Sequence, residues 1–201
     1  MTTGPGLRLG LISDTHIPEA MPQLWPHVYD LFDGCDGILH AGDIHDVHVI
    51  DELARRAPVW GARGNGDDGS GGREVQPEHP SLQETWWLEF EGVHVAMIHA
   101  APVPERPPHL RVEKTLDRLF PDRPHAPHVI IHGDTHVEDI RTVDGILCVN
   151  PGSPTYPHNL TVQYGTVGFL DIADGQVEAS IWRINETGIE PFDWETWGRP
   201  W

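Results

Sequence analysis

Residues 7–16 read LRLGLISDTH, an apolar run that ends directly in an acid and an imidazole. Leu7 to Ser13 has the composition of a buried strand, and Asp14 and His16 follow at its carboxyl end. The pattern repeats downstream. Gly37 to Ala41 (GILHA) is a second short apolar run, followed by Asp43, and Val59 to Ala62 (VWGA) is a third, followed by Asn65. Between these runs lie two helical stretches. One spans about Pro22 to Phe32, with proline near its start where it is tolerated. The other spans Val47 to Arg56, with Val47, Ile50, Leu53 and Ala54 at helical spacing. Alternating strand and helix predicts an α/β layer with parallel strands.

Further along, Gly64 to Pro80 is rich in Gly, Asp and Pro and reads as loop. Trp86 to Phe90 and Val93 to Ile98 read as a hairpin around Glu91-Gly92, followed by a loop over Pro102 to Pro108 and a helix from about Arg111 to Phe120. The last third reads mostly as strand: Val129 to His132, Glu138 to Val143, Ile146 to Asn150, Val162 to Ile172 and Gln176 to Arg183. Asp144-Gly145 and Asp174-Gly175 are hairpin turn signals. Two sheets flanked by helices accommodate this order. One domain over 1–201 is expected, with a core of about 7–183 and a Trp-rich tail, 184–201.

Composition narrows the function classes. The net charge is -18, from 31 acids against 13 bases, and Lys114 is the sole lysine. Such a surface repels a polyanion, and no basic run exists to track a nucleic-acid backbone, so no long nucleic acid is expected as partner. Cys35 and Cys148 form no CxxC motif, which leaves thiolate metal sites unsignalled and reads both as small buried residues. The apolar runs are far too short to span a membrane, and the N-terminus shows no basic segment leading into an apolar one. No membrane association and a cytoplasmic location are the expectations. Trp194, Trp197 and Trp201 in the tail are expected to dock on the body, a partner protein or a second copy in a homo-oligomer.

The chemistry-bearing residues cluster by position in the pattern. Asp14 and His16 (SDTH), Asp43 (HAGD), Asn65 (GN), His99 (IHA), and Asp134 and His136 (GDTH) each follow a predicted strand. Ligands in α/β sheets bind outside the carboxyl ends of strands, so five strand ends converge on one spot. Carboxylate and amide oxygens mixed with imidazole nitrogens suit divalent transition metals. Two cations a few ångströms apart clamp phosphate oxygens and hold an attacking hydroxide between them. Holding them close requires a bridging carboxylate, and Asp43, in the middle of the order, is the choice. Singly, each piece has an ordinary reading: a D-x-H is a capping acid beside an exposed imidazole, and Asn65-Gly66 is a turn. His27, His45, His48, His79, His94, His109, His125 and His158 are read as solvated or packing residues.

Taken in order and spacing, SDTH, HAGD, GNGD, IHA, GDTH and NPGS (Asn150 to Ser153) resemble the calcineurin-like metallophosphoesterase superfamily, in its branch of small prokaryotic single-domain phosphodiesterases. The resemblance runs from about Leu7 to Arg183. It implies a four-layer αββα sandwich of two mixed sheets flanked by helices, acting on a small phosphoester. It also implies two divalent cations, manganese first, with iron, zinc, nickel or magnesium as other candidates. Asp14, His16 and His136 would hold one cation, and Asn65, His99 and Asp134 the other, with Asp43 bridging. His40 would orient Asp43 or the substrate, unless it is a buried imidazole bonded to a backbone carbonyl. Asn150 and Ser153 read as site wall or as a structural turn. Alternatives to a phosphodiesterase are a phosphomonoesterase or nucleotide phosphatase, or a metal-bearing scaffold that binds a partner protein.

Three departures from the family pattern matter. Asp134 stands where the family has a metal-binding His, which hardens the site toward manganese or magnesium, and His132 just before it is a candidate stand-in. Gly66 stands where many members carry a leaving-group His, so activated esters are expected to be favoured. Ala100 and Ala101 follow His99 where the family often starts a loop with Gly, which leaves the imidazole in place.

Overall fold

Twelve strands and three helices follow one another in two sheets, as described by a computed structural model for residues 6–100, 102, 107, 111–159 and 161–193. The first sheet has the order β12-β11-β10-β1-β2-β3-β4. Its strands are β1 (Leu7–Ile12), β2 (Gly37–His40), β3 (Val59–Ala62), β4 (Leu82–Gln83), β10 (Thr166–Ala173), β11 (Gln176–Asn185) and β12 (Gly188–Pro191). β1 to β4 are mutually parallel, and β10 to β12 extend the sheet antiparallel on the other side of β1. The second sheet runs β5-β6-β7-β9-β8, from β5 (Trp86–Phe90), β6 (Val93–Met97), β7 (Val129–Ile131), β8 (Asp139–Val143) and β9 (Ile146–Asn150). Its centre, β6-β7-β9, is parallel, and its two edges are antiparallel.

Burial on both faces explains why the parallel strands lack polar alternation. On β1, Leu9 and Leu11 face the second sheet, packing with Val95, Met97, Val129 and Ile131. Ile12 faces the other way, with Val28 and Phe32 of α1 (Pro26–Phe32) and Val49, Ile50 and Leu53 of α2 (His48–Leu53). Ala96, Ile98, Ile130 and Cys148 of the second sheet meet Val112 and Leu116 of α3 (Val112–Leu119). The layers are therefore helices, sheet, sheet, helix, the αββα sandwich that the family resemblance implies.

Three hairpins turn at the expected dipeptides. Glu91-Gly92, Asp144-Gly145 and Asp174-Gly175 carry positive φ at both residues, the mirror-image turn whose twist matches the flanking strands. Other boundaries move. The first helix begins at Pro26 rather than near Pro22, because the preceding residues form turns and bends. The strand expected from Val162 begins at Thr166, since backbone bonds Val162 N–H to Asn159 O and Gly165 N–H to Val162 O close turns there. β4 and β12 were not foreseen. β11 and β12 carry the sheet past Arg183, burying Ile184 in the helix-facing core with Ile189 packed on it. Trp194, Trp197 and Trp201 lie outside the described residues, as does most of the Pro102 to Pro108 loop and the helix-start region before Arg111. Both cysteines are free, and burial pushes their thiols up, Cys35 to about 11 and Cys148 to about 12.

Candidate metal centre

Five parallel strand ends point at one seam. β1, β2 and β3 bring Asp14, His16, Asp43 and Asn65 from the first sheet; β6 and β7 bring His99, Asp134 and His136 from the second. One donor atom each from Asp14, His16, Asp43 and His136 lies within 4.8 Å of all the others. His16 Nε2 is 3.3 Å from Asp43 Oδ2, and His99 Nε2 is 3.3 Å from Asp43 Oδ1. Asp43 therefore faces two groups with its two oxygens. His136 Nε2 is 3.5 Å from Asp14 Oδ1.

The backbone is strained where the donors sit. Asp14, His16, Asp43, His45, Asp134 and His136 all have positive φ, between 45° and 74°. Non-glycine residues seldom adopt this region, and such outliers collect at functional sites. Each D-x-H forms the same turn three times over: Asp14-Thr15-His16, Asp43-Ile44-His45 and Asp134-Thr135-His136.

Surrounding bonds aim the side chains. His99 Nδ1 donates to Ala41 O at 2.8 Å, and His136 Nδ1 donates to Tyr156 O at 2.8 Å. Each ring thereby turns the lone pair of Nε2 inward, the usual outer bond of a metal-binding imidazole. His40 Nδ1 accepts the Gly42 N–H at 3.2 Å, so its Nε2–H donates to Thr15 Oγ1 at 3.1 Å. Thr15 Oγ1 donates in turn to Ile44 O. His40 is fully buried, ties the β1 turn to the β2 turn, and bonds an N–H and a hydroxyl rather than a carbonyl. Burial pushes its imidazole down to about 3, so it stays neutral. Asn150 Nδ2 bonds Gly133 O and Thr135 Oγ1, while Ser153 Oγ donates to Asp14 O at 2.7 Å. NPGS thus braces two of the three D-x-H turns.

The donors fit a cation. Asp14 Oδ2, His16 Nε2 and His99 Nε2 are buried without a hydrogen-bond partner, although His16 and His99 approach Asp43 closely. Their contacts are tip to tip, at ion-pair range but without hydrogen-bonding angles, which is how ligands around a shared ion meet. Buried polar atoms otherwise find partners. Burial raises Asp14 to about 7. Burial opposes ionisation of Asp43 too, but the His16 and His99 rings and the Gly66 N–H hold its carboxyl far below the usual range. His136 is pushed down by burial to about 4, which leaves it neutral and ready to coordinate. Gly133 allows the close approach of β7 to β1: a Cβ there would stand 2.6 Å from Asp14 Oδ2.

Asn65 and Asp134 are the other two expected ligands. Asn65 is exposed, and its carbonyl accepts the Gly71 N–H at 2.7 Å. Asp134 is half-buried, and its N–H donates to Asp14 Oδ1 at 3.2 Å. His132 is buried beside the Gly133 carbonyl, outside the tight four-residue group, and burial pushes it down to about 4.

Four residues not singled out as site residues belong to the surroundings. His45, read above as a solvated or packing residue, is buried with its ring centroid 4.0 Å from His16. It fills the space at Gly66, where a Cβ would come within 2.5 Å of His45 Cδ2. Its Nδ1 lies 3.0 Å from Glu19 Oε2, and Glu19 in turn pairs with Arg73. His158 stacks on His136 at 4.3 Å. Tyr156 stands 5.9 Å from His16. Asp67 is fully buried, and its carboxylate accepts the N–H groups of Ile44, His45 and Gly64, lacing the β2 turn to the β3 turn. The repeated D-x-H spacing would have flagged His45; no comparable signal marks His158 or Tyr156.

With a candidate donor cage at the carboxyl ends of two sheets' parallel strands, the fold and the site are of the metallophosphoesterase class. The chain belongs to the calcineurin-like phosphoesterase superfamily, whose domain matches residues 7–175. It is 33% identical over 153 residues to a probable metallophosphoesterase of Methanothermobacter thermautotrophicus, covering 74% of this chain and 78% of that one. A probable metallophosphoesterase of Methanocaldococcus jannaschii is 31% identical over 154 residues, 77% and 71% of the two chains. Among solved structures, Vacuolar Protein Sorting 29 from Cryptosporidium parvum shares the fold, with a TM-score of 0.72, 16% identity, and coverage of 93% and 96%.

Proposed function

We propose that this chain is a dinuclear, metal-dependent phosphodiesterase. The observation that carries the reading is the cage of Asp14, His16, Asp43 and His136, whose donor atoms lie within 4.8 Å of one another at strained strand ends. Asp14, His16 and His136 would hold one divalent cation, and His99, with Asp134 and Asn65, the second, with Asp43 shared between them. A bound cation pair supplies charge neutralisation for the phosphoryl oxygens and an activated water. The protein's part is positioning. His99 and His136 are locked by carbonyl bonds, Asp43 receives the Gly66 N–H at 2.7 Å, and His40 fixes the turn that carries Asp43.

A monoanionic diester suits a chain of net charge -18 better than a dianionic monoester or a polyphosphate. Manganese-loaded protein is expected to hydrolyse bis(p-nitrophenyl) phosphate faster than the mononitrophenyl ester, and to stop on chelation. Asp43→Asn should lower turnover at least about a hundredfold, as loss of a centrally placed electrostatic group does. Faster monoester turnover would move the assignment to a phosphomonoesterase. Full metal uptake with no turnover of any phosphoester would leave the partner-binding scaffold.

A further inference from the structure

One rim of the metal centre is aromatic. Tyr156 is 54% exposed, and its ring centroid stands 5.9 Å from His16 and 5.4 Å from His136. Its backbone is held from both sides: its N–H donates to Ser153 Oγ at 2.8 Å, and its carbonyl accepts from His136 Nδ1. Thr155, next to it, donates to Thr15 O at 2.6 Å, in the turn that carries Asp14 and His16. An exposed ring on so fixed a backbone is presented rather than loose. His158, stacked on His136, lies 5.5 Å from the same ring and extends the wall.

Tyr156 also lines a cavity of about 440 Å³ together with Thr155, Pro157, Asn159 and Gln163. None of the five is charged, so the cavity lining offers no cation to a second phosphate group. Asn159 is spent on Glu138 and Thr161, which leaves the ring, the proline and the exposed Gln163 amide to meet a ligand. The side of His16 that meets His45 is different, since His45 there pairs with Glu19, and Glu19 with Arg73.

We propose that Tyr156 is a specificity-determining platform for a flat aromatic ring joined to the phosphoester, so that the substrates are ring-bearing phosphodiesters rather than alkyl diesters or polyphosphates. The proposal rests on the phosphoesterase reading, since the ring is placed relative to a phosphoryl group at the metal centre. A ring stacked on an open tyrosine strengthens binding by about fivefold to tenfold.

Calorimetric titration of the manganese-loaded full chain with the monomethyl esters of phenylphosphonate and methylphosphonate tests it, since the two share a monoanionic, diester-like headgroup and differ in the ring. The phenyl half-ester should bind about tenfold tighter. In Tyr156→Ala the two should bind within about twofold of each other, with the affinity of the methyl compound unchanged, and Tyr156→Phe should keep the preference. A preference that survives in Tyr156→Ala, or that the natural chain lacks, overturns the platform. Failure of both half-esters to bind a chain that has taken up manganese overturns the phosphoesterase reading itself, a different outcome.

Discussion

Asp67 shows how one side chain governs a site it does not enter. Its carboxylate accepts three backbone N–H groups from two separate turns and is shut off from water. Asp67→Ala leaves those donors buried and unpaired, each a loss of about 1–3 kcal/mol if nothing replaces the carboxylate. Urea unfolding should show a drop of about 3 kcal/mol, with metal affinity falling alongside because the Asp43 turn is released. A variant as stable as the natural chain would show that water fills the gap. Asp134 makes a second test. It stands at the position of a usual His, and Asp134→His should shift metal preference away from manganese and magnesium toward zinc or nickel. An unchanged ranking of metals, read by competition binding, would count against Asp134 as a ligand.

Elements were readable in proportion to how much of their information is local. Apolar runs bounded by Gly and Asp marked β1, β2, β3, β6 and β9 within a residue or so, because burial on both faces leaves a continuous apolar signature. Asp-Gly dipeptides marked the hairpins through backbone sterics alone. β4 and β12 carry no such signature: Leu82–Gln83 is two residues long, and Gly188–Pro191 is an edge strand ending in proline. In the site, Asp14, His16, Asp43, His99 and His136 were visible as acids and imidazoles after strands. His45, Tyr156 and His158 were not singled out, since their approach to His16 and His136 depends on turn conformation and on a loop returning across the site. β12 gives this scale its prediction. A chain ending at Arg183 loses Ile184 from the core and Ile189 from its surface, and bares the edge of β11. It should be about 3–5 kcal/mol less stable than one ending at Asp193, and prone to aggregate. Equal urea midpoints for the two would mean that β12 adds nothing.

Across the molecule, buried imidazoles set the response to acid in the metal-free state. His40 is held down at about 3, and His132 and His136 at about 4, against 6.5 when unfolded. Between about pH 4 and 6.5 the unfolded chain therefore binds more protons at these three positions, and stability falls as pH falls. Asp14 opposes this: raised from 3.8 to about 7, it carries a proton in the fold that the unfolded chain has lost over the same window. His99, held up at about 10 beside Asp43, also keeps a proton that the unfolded chain releases above pH 6.5. The two opposing groups therefore win near pH 7, and the three neutral rings win below about pH 6, where the net loss toward acid is on the order of 2 kcal/mol per pH unit. Denaturant titrations of chelated protein from about pH 6 to about pH 4.5 check the sign, and rising stability toward acid in that window would falsify the burial of neutral rings.

Because Asp14, His16 and Asp43 hang from one sheet while His99 and His136 hang from the other, any ion they share is a rivet through both halves of the sandwich. Heat must shear that rivet before the halves can part. The melting temperature should therefore climb with the logarithm of free manganese, gaining about 2.7 kcal/mol at a hundredfold excess over Kd, and settle back when the ion is stripped away.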